Sequence, residues 1–197
     1  MPEPTEDVTY RDQDWYAEEL VDRHFVRCEF FHVDLTEAVS RGAVFTECVF
    51  GNVAFNASRH TDSAFTRCTF RRCNFFEAEF TGCKLVGSSF DQCDLRPLRV
   101  DGGDWSFVAL PGADLRGVRI SDVRLREADL TRVNLTDATV TGVDLSGAQL
   151  DGARLAGADL RGSDLTGLDP TAVQRAGAVI DAEQAVVLAR ALGFDIR

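Results

Sequence analysis

The chain has 197 residues, with 32 acidic and 21 basic side chains and a formal net charge of −11 at pH 7. This length suits one domain, and this charge argues against direct nucleic-acid binding, because phosphate contacts need clustered Lys and Arg. Since no apolar run reaches about 18 residues and the start is acidic, the sequence predicts neither a membrane span nor a signal peptide, and therefore a cytoplasmic protein.

The first predicted segment is an acidic N-terminal extension, residues 1–22. It carries eight acids and one arginine, so it holds −7 of the net charge. It also contains the aromatic residues Tyr10, Trp15 and Tyr16. Two interpretations stay open: the extension frays, or its aromatic side chains cover the open end of the next element, since the ends of solenoids need capping.

Residues 23–168 repeat with a period of five. Of the 29 positions taken every fifth residue from Phe25 to Leu165, 23 are Phe or Leu. We call these positions the centres of the pentapeptides. Of the 28 residues that stand two positions before a centre, from Cys28 to Ser163, 26 are Ala, Val, Cys or Ser. A period of five fits neither a helix nor a strand. It fits a square coil with one pentapeptide per side, in which both apolar columns point inward, and so predicts an all-β solenoid.

The polar and bulky residues within the repeat have structural explanations. All six cysteines stand in the small inward column, which predicts buried thiols that fill space rather than disulfides or metal ligands. Ser40 and His60 interrupt one wall, and a defect filled by a water or a hydrogen bond is favoured over a ligand site. Trp105 and Phe107, beside Gly102-Gly103, predict a local distortion of the coil, to which a cis bond at Pro97 could contribute.

Some apolar residues of the N-terminal half occupy positions that should face solvent. Either the 1–22 segment covers them or a partner does, and the sequence does not decide between the two. These residues are Phe31, Val39, Val44, Val49 and Phe76.

The period changes after residue 168, and residues 169–197 are predicted to form a short α-helical cap. Asp169-Pro170 predicts a helix N-terminus, with a first helix to about Ala176. Asp181 and Gln184 predict a second helix that begins with a capping box. Its apolar stripe covers the last coil, and we expect its far side to form a homodimer interface, although a cap alone would explain it. The stripe consists of Ala182, Ala185, Val186, Ala189 and Leu192.

Acidic residues outnumber basic ones near the end of the repeat. Residues 135–169 hold six acids and only two bases, Arg154 and Arg161. We interpret these acids as a partner-binding surface, although acidic corners would also keep a solenoid in solution. The six acids are Asp137, Asp144, Asp151, Asp159, Asp164 and Asp169.

The repeat resembles the pentapeptide-repeat family, whose motif is A(D/N)LxG. Residues 113–117 (ADLRG) and 158–162 (ADLRG) carry the motif, and the resemblance covers about residues 23–168. It implies a right-handed quadrilateral β-helix of seven or so turns. Within the family, residues 93–98 (CDLRPL), 112–117 (GADLRG), 124–127 (RLRE) and 179–186 (VIDAEQAV) resemble the mycobacterial members linked to fluoroquinolone resistance.

That resemblance implies a function. Such members are rod-shaped dimers, joined through their C-terminal helices, that bind DNA gyrase as mimics of duplex DNA. The resemblance therefore implies that this chain engages gyrase and lowers the effect of fluoroquinolones. The gyrase site is either the ATPase gate of the B subunit or the DNA-breaking A subunit. We favour the gate, because a rod matches the DNA segment that passes through it.

The sequence contains no catalytic or cofactor-binding motif. No nucleophile and carboxylate are grouped around His24, His32 or His60, and there is no HExxH or phosphate-binding loop. We therefore expect no enzyme, no cofactor and no metal. Two alternatives stay open: a generic scaffold for another protein partner, and an enzyme with a cleft on the side of the rod.

Overall fold

The computed structural model describes residues 3–197, which wind into a solenoid of stacked square coils. The strands are, in chain order, β1 (Thr5–Glu6), β2 (Thr9–Arg11), β3 (Glu19–Val21), β4 (His24–Val26), β5 (Glu29–Phe31), β6 (Val39–Arg41), β7 (Val44–Thr46), β8 (Val49–Gly51), β9 (Arg59–Thr61), β10 (Ala64–Thr66), β11 (Thr69–Arg71), β12 (Glu79–Thr81), β13 (Ser89–Asp91), β14 (Arg99–Asp101), β15 (Arg119–Ser121) and β16 (Thr139–Thr141). One helix, α1 (Ala182–Ala191), follows them.

Each residue of a wall pairs in parallel with the residue twenty positions later, as Phe25 does with Phe45 and Phe30 with Phe50. The first wall contains β1, β4, β7 and β10, and the second contains β2, β5, β8, β11 and β13. The third wall is joined by single bridges, such as Asp34 to Ala54. The fourth contains β3, β6, β9, β12, β14, β15 and β16. Four pentapeptides therefore make one coil, and the predicted quadrilateral β-helix is confirmed.

The solenoid begins earlier than predicted. Thr5 pairs with Phe25 and Thr9 with Glu29, so the acidic segment forms a coil of its own rather than a separate extension. The Tyr10 ring stacks on Phe30 with centroids 5.1 Å apart, and its edge meets Trp15 at 5.0 Å. The aromatic side chains of the first coil thus cover the end of the core.

The solenoid also ends later than predicted, and the helix expected from Asp169 to Ala176 is absent. Gln174 pairs with Arg154 and Val179 with Asp159, so these residues continue the coil. The Asp169 side chain accepts from the backbone N–H of Thr171 at 2.8 Å. This contact closes a turn. An Asp side chain that accepts from the backbone N–H groups after it occurs both at helix N-termini and in turns, so the prediction of a helix from Asp169 was wrong.

The interior is filled by the two predicted columns. Phe65, Leu115 and Leu145 are 1%, 2% and 6% exposed. Phenylalanines of successive coils stack face to face, with Phe45 and Phe65 at 4.7 Å and an interplanar angle of 4°. All six cysteines are free, and Cys93 alone among them is half-buried rather than buried. Closely stacked rings and small side chains leave the solenoid solid.

The interruption at Ser40 and His60 is filled by hydrogen bonds, as predicted. His60 Nδ1 lies 2.7 Å from Ser40 Oγ, and its Nε2 lies 3.0 Å from Ser58 Oγ. Ser63 Oγ joins the network at 2.9 Å from Ser40 Oγ. Burial lowers the pKa of His60 to about 3, so the ring is neutral at physiological pH. The cluster is a satisfied polar layer within an apolar core.

The coil is distorted where the sequence predicts it. Arg96-Pro97 is a cis peptide bond, and Phe107 points outward with 55% of its surface exposed. Gly103 has a φ of +97°, and a Cβ there would lie 2.8 Å from the backbone nitrogen of Cys83. Only glycine therefore fits this position, because two neighbouring coils approach each other there at backbone distance.

Candidate partner-binding surface

The six predicted partner-binding carboxylates do not form one patch. Their positions in the repeat distribute them over all four sides of the rod. Asp144 and Asp164 are paired neighbours on the first wall, the one contiguous pair among the six. Asp151 and Asp169 belong to the second wall, Asp137 to the corner after the third, and Asp159 to the fourth.

Four of these six have a structural task that the sequence interpretation missed. Each stands one residue before a centre, and its side chain accepts a hydrogen bond from the backbone N–H two residues later. The distances are 3.1 Å for Asp144, 3.2 Å for Asp159, 2.9 Å for Asp164 and 2.8 Å for Asp169. Asn74 and Asn134 make the same contact at equivalent positions, at 2.9 Å and 3.2 Å. Asp and Asn therefore recur in the motif because they close the turn.

Two of the six charges are neutralised by arginine. Asp159 forms an ion pair with Arg161 at 2.7 Å, and Asp144 forms one with Arg126. Hydrogen bonding from Arg161 lowers the pKa of Asp159. Asp169 bonds to Thr171 instead, which also lowers its pKa. The carboxylates that keep their charge at the C-terminal coils are thus Asp137, Asp151, Asp164 and Asp169, none of which has an ion-pair partner within residues 3–197.

The most negative coil lies at the opposite end of the rod. Residues 3–22 hold eight acids and one arginine, and Glu6 and Asp7 share one ion-pair partner, Arg27, at 2.8 Å each. The other acids of this coil, such as Asp12 and Glu19, are exposed. The composition of the segment pointed to this charge, but its place in a folded coil was not predicted.

The apolar stripe of α1 is only partly covered by the last coil. Of the five predicted dimer-interface residues, Ala182, Ala185, Val186 and Leu192 are exposed and Ala189 is half-buried. An apolar cleft of about 350 Å³ opens between the helix and the end of the solenoid. It is lined by Leu155, Leu160, Leu168, Leu188, Leu192 and Phe194, with Arg175 at its edge. The structure thus leaves an apolar surface open where the sequence predicts a dimer interface.

The outward apolar residues have different explanations. Phe31 covers Gly51, and the Arg11 guanidinium lies over its ring at 4.6 Å, so the first coil helps to bury it. Val39, Val44 and Val49 are half-buried within their sheets. Phe76, in contrast, is 44% exposed. The first coil therefore accounts for Phe31, and Phe76 is left open to solvent.

The described residues offer little for chemistry. Within residues 3–197, no group of three or more His, Cys, Asp or Glu is placed to hold a metal ion. A cavity in the leucine-lined part of the core measures about 20 Å³, which is far below the size of a ligand pocket. Over the same residues, no helix has the length and apolar character that crossing a membrane requires.

Known proteins share this repeat and this architecture. The pattern described as pentapeptide repeats matches eight copies, in residues 61–96, 102–132 and 128–167. The pentapeptide repeat protein MfpA of Mycobacterium tuberculosis (strain ATCC 25618 / H37Rv) is 39% identical over 104 residues, which are 53% of this chain and 57% of that protein. The match thus spans little more than half the length of this relative.

Two solved structures extend the comparison to the whole chain. A trypsin-treated variant of QnrB1, a plasmid-mediated fluoroquinolone resistance protein, superposes with a TM-score of 0.70 and 21% identity, covering 100% of both chains. Full-length QnrB1 gives 0.64 at 19% identity, covering 98% of this chain and 100% of the other. At these identities the likeness establishes the fold.

Proposed function

The chain belongs to the pentapeptide-repeat family, and from that premise we propose that it binds DNA gyrase as a rod-shaped mimic of duplex DNA and lowers the effect of fluoroquinolones. The observation that carries the proposal is that residues 3–197 form a solid rod whose core has no cavity of ligand size, so we place any binding activity on the exterior. The 39% identity to a mycobacterial pentapeptide repeat protein supports the resemblance from which gyrase is proposed as the partner. We accordingly propose a non-enzymatic, cytoplasmic protein.

The charge on the rod supports a local rather than a continuous imitation of DNA. Duplex DNA carries one charge per about 1.7 Å, whereas stacked coils are about 4.8 Å apart. Asp137, Asp151, Asp164 and Asp169 add unpaired charge to the C-terminal coils, but they are spread over two walls and a corner. Exposed charges at such spacing set association rate and register more than affinity.

We propose that the C-terminal end joins two copies. The exposed stripe of α1 and the apolar cleft beside it form a surface that a second α1 could cover. An isologous contact of this kind would double the length of the rod and place the acidic first coil, with its net charge of −7, at both far ends. The middle of the dimer would carry the unpaired aspartates of both copies.

On gyrase, we favour the ATPase gate of the B subunit over the DNA-breaking A subunit. A gate that admits a duplex segment can also admit a rod, because the rod matches the shape of the segment that passes through it. The two sites differ in a testable way, because occupation of the gate changes ATP turnover and occupation of the A subunit changes DNA cleavage.

The experiment that tests the proposal is a supercoiling assay with purified gyrase, with and without a fluoroquinolone. We expect added protein to change supercoiling and to reduce the cleaved DNA that the drug traps. An unchanged assay together with no capture of gyrase by the immobilised chain would favour the alternative, a generic scaffold for another protein.

A further inference from the structure

Two cysteines stand in register in neighbouring coils on the corner between the second and third walls. Arg71 pairs with Asp91 and Asn74 with Asp94, so Cys73 and Cys93 occupy equivalent places one coil apart. Adjacent strands are about 4.8 Å apart, and Cα atoms joined by a disulfide are usually about 4.4–6.8 Å apart. The fold therefore holds these two thiols at a separation that a disulfide can span.

Of the two thiols, one can be reached from solvent. Cys73 is 1% exposed, whereas Cys93 is half-buried and lines a surface groove of about 550 Å³. The groove forms because the residues of the next coil beside Cys93 are small. The next residue in its column is Ala113, and the turn before it is Pro111-Gly112.

The two thiols differ in burial. The neighbouring Cys93 thiol and burial raise the pKa of Cys73, whereas Cys93 is half-buried. Thiolates are the nucleophiles in cysteine chemistry, and Cys93 is the thiol of the pair that an oxidant in solvent reaches first. Cys48 and Cys68 form a similar pair, but both are 1% exposed.

We propose that Cys93 and Cys73 form an oxidation site that reacts with hydroperoxides, in which Cys93 is oxidised first and Cys73 then closes a disulfide between two coils. The Cys93 thiolate attacks one oxygen of the O–O bond, an S–O bond forms, and the other oxygen leaves as an alcohol or water after taking a proton. The resulting sulfenic acid is attacked by the Cys73 sulfur, the S–O bond breaks and water leaves. Two thiols are oxidised and one hydroperoxide is reduced.

The first test is alkylation of the native full-length chain with iodoacetamide, followed by mass spectrometry. We expect one modified thiol, Cys93, and protection of the other five. Modification of none of the six thiols, or of Cys48 at a comparable rate, would overturn the assignment, because the two pairs differ only in access.

The second test is hydrogen peroxide on the same chain. We expect a mass loss of two hydrogens and a tryptic link between residues 73–84 and 85–99, since trypsin does not cleave Arg96-Pro97, with Cys83→Ser identifying Cys73 as the linked residue. Cys73→Ser should stop at a sulfenic acid that dimedone captures, Cys93→Ser should abolish the reaction, and Cys48→Ser should change nothing. Serine already occupies this column at Ser63 and Ser88, so these variants are expected to fold. A sulfinic acid on Cys93 without a disulfide, or a link through Cys48 or Cys68, would overturn the proposal.

Discussion

The side chain of Gln184 donates to the carbonyl oxygen of Leu160 at 2.7 Å and thereby ties α1 to the last full coil. The same amide nitrogen donates to Ser163 O, also at 2.7 Å. In the preceding coil the carbonyl oxygen equivalent to that of Ser163 accepts from a backbone N–H, as Val143 O does from Asp164 N. Gln184 is also the residue that closes the capping box with Asp181. One residue thus helps to begin the helix and gives Ser163 O the hydrogen bond that the backbone of a further coil would have donated.

Replacing this amide should loosen the end of the rod. Gln184→Ala leaves the carbonyl oxygen of Ser163 without its donor, whereas Leu160 O keeps the backbone N–H of Ser163 at 3.1 Å. An unmade hydrogen bond of a buried group costs about 1–3 kcal/mol. We expect urea unfolding to give a correspondingly lower stability. The matched control is Glu183→Ala on the exposed side of the same helix. Equal stabilities for the two variants would contradict this account of the cap.

Glycine should be required at one corner and dispensable at another. Gly103 and Gly112 both have positive φ, +97° and +68°, so alanine strains the backbone at either position. At Gly103 the new methyl group would also collide with the backbone of Cys83, whereas at Gly112 it would meet nothing within 4 Å. We expect Gly112→Ala to cost about 1 kcal/mol and Gly103→Ala several kcal/mol, measured by denaturant unfolding. Similar costs would show that the two coils can move apart at Gly103.

The buried histidine predicts how stability depends on pH. The pKa of His60 is about 3 in the folded chain and about 6.5 when unfolded. Between these values the unfolded state binds a proton that the folded state does not, so stability is full above about pH 7 and falls as the pH drops toward 3.

His60→Phe should remove this part of the pH dependence. The ring would stack on Phe80 as His60 does at 4.7 Å, and Ser58 Oγ would keep its bond to Phe55 O. From pH 7 to pH 4.5 we expect the parent to lose about 2.5 kcal/mol more than the variant in urea unfolding. His32→Gln, at an exposed position, is the control and should behave like the parent. Parallel losses in all three chains would mean that His60 is protonated without unfolding.

The proposed dimer can be broken by charge on the stripe of α1. Val186→Asp together with Ala189→Asp would bury two carboxylates in the contact, so light scattering should report monomers. Arg190→Asp changes the net charge by the same amount at an exposed position outside the stripe and should leave the dimer intact. A dimer that survives the double substitution would move the interface elsewhere.

The sequence predicts the regular part of this fold because a coil with a neighbour on each side must fill two positions of every pentapeptide: a large apolar residue at the centre and a small one two positions before it. At the first coil this constraint is weaker. Large apolar residues still occupy the central positions, at Tyr10, Trp15 and Leu20. In the column of small residues, however, Val8 and Glu18 are exposed. Within residues 3–197 these side chains have a neighbouring coil on one side only, so the small column is not constant in size there and the repeat is not recognisable. The last coil deviates similarly, with Pro170 and Arg175 at centre positions.

The candidate site was less predictable than the fold. From the sequence, an aspartate one residue before a centre is predicted to contribute surface charge. In the structure such aspartates also close a turn, as Asp144, Asp159, Asp164 and Asp169 do. Pairing with arginine depends on which side chains meet across coils, as Arg126 and Asp144 do, and composition alone does not give this. The capping box at Asp181 was predicted, because its signal is local in sequence.

The most direct test of the proposed mimicry is displacement of a labelled DNA duplex from gyrase by the purified chain at low salt. The variant to compare carries Asn at Asp137, Asp151, Asp164 and Asp169, which removes charge but keeps an oxygen that can close the turns, as Asn134 does. If the rod imitates duplex DNA, the parent displaces the duplex and the variant does so more slowly. A parent chain that leaves the duplex bound at saturating concentration would contradict the proposal.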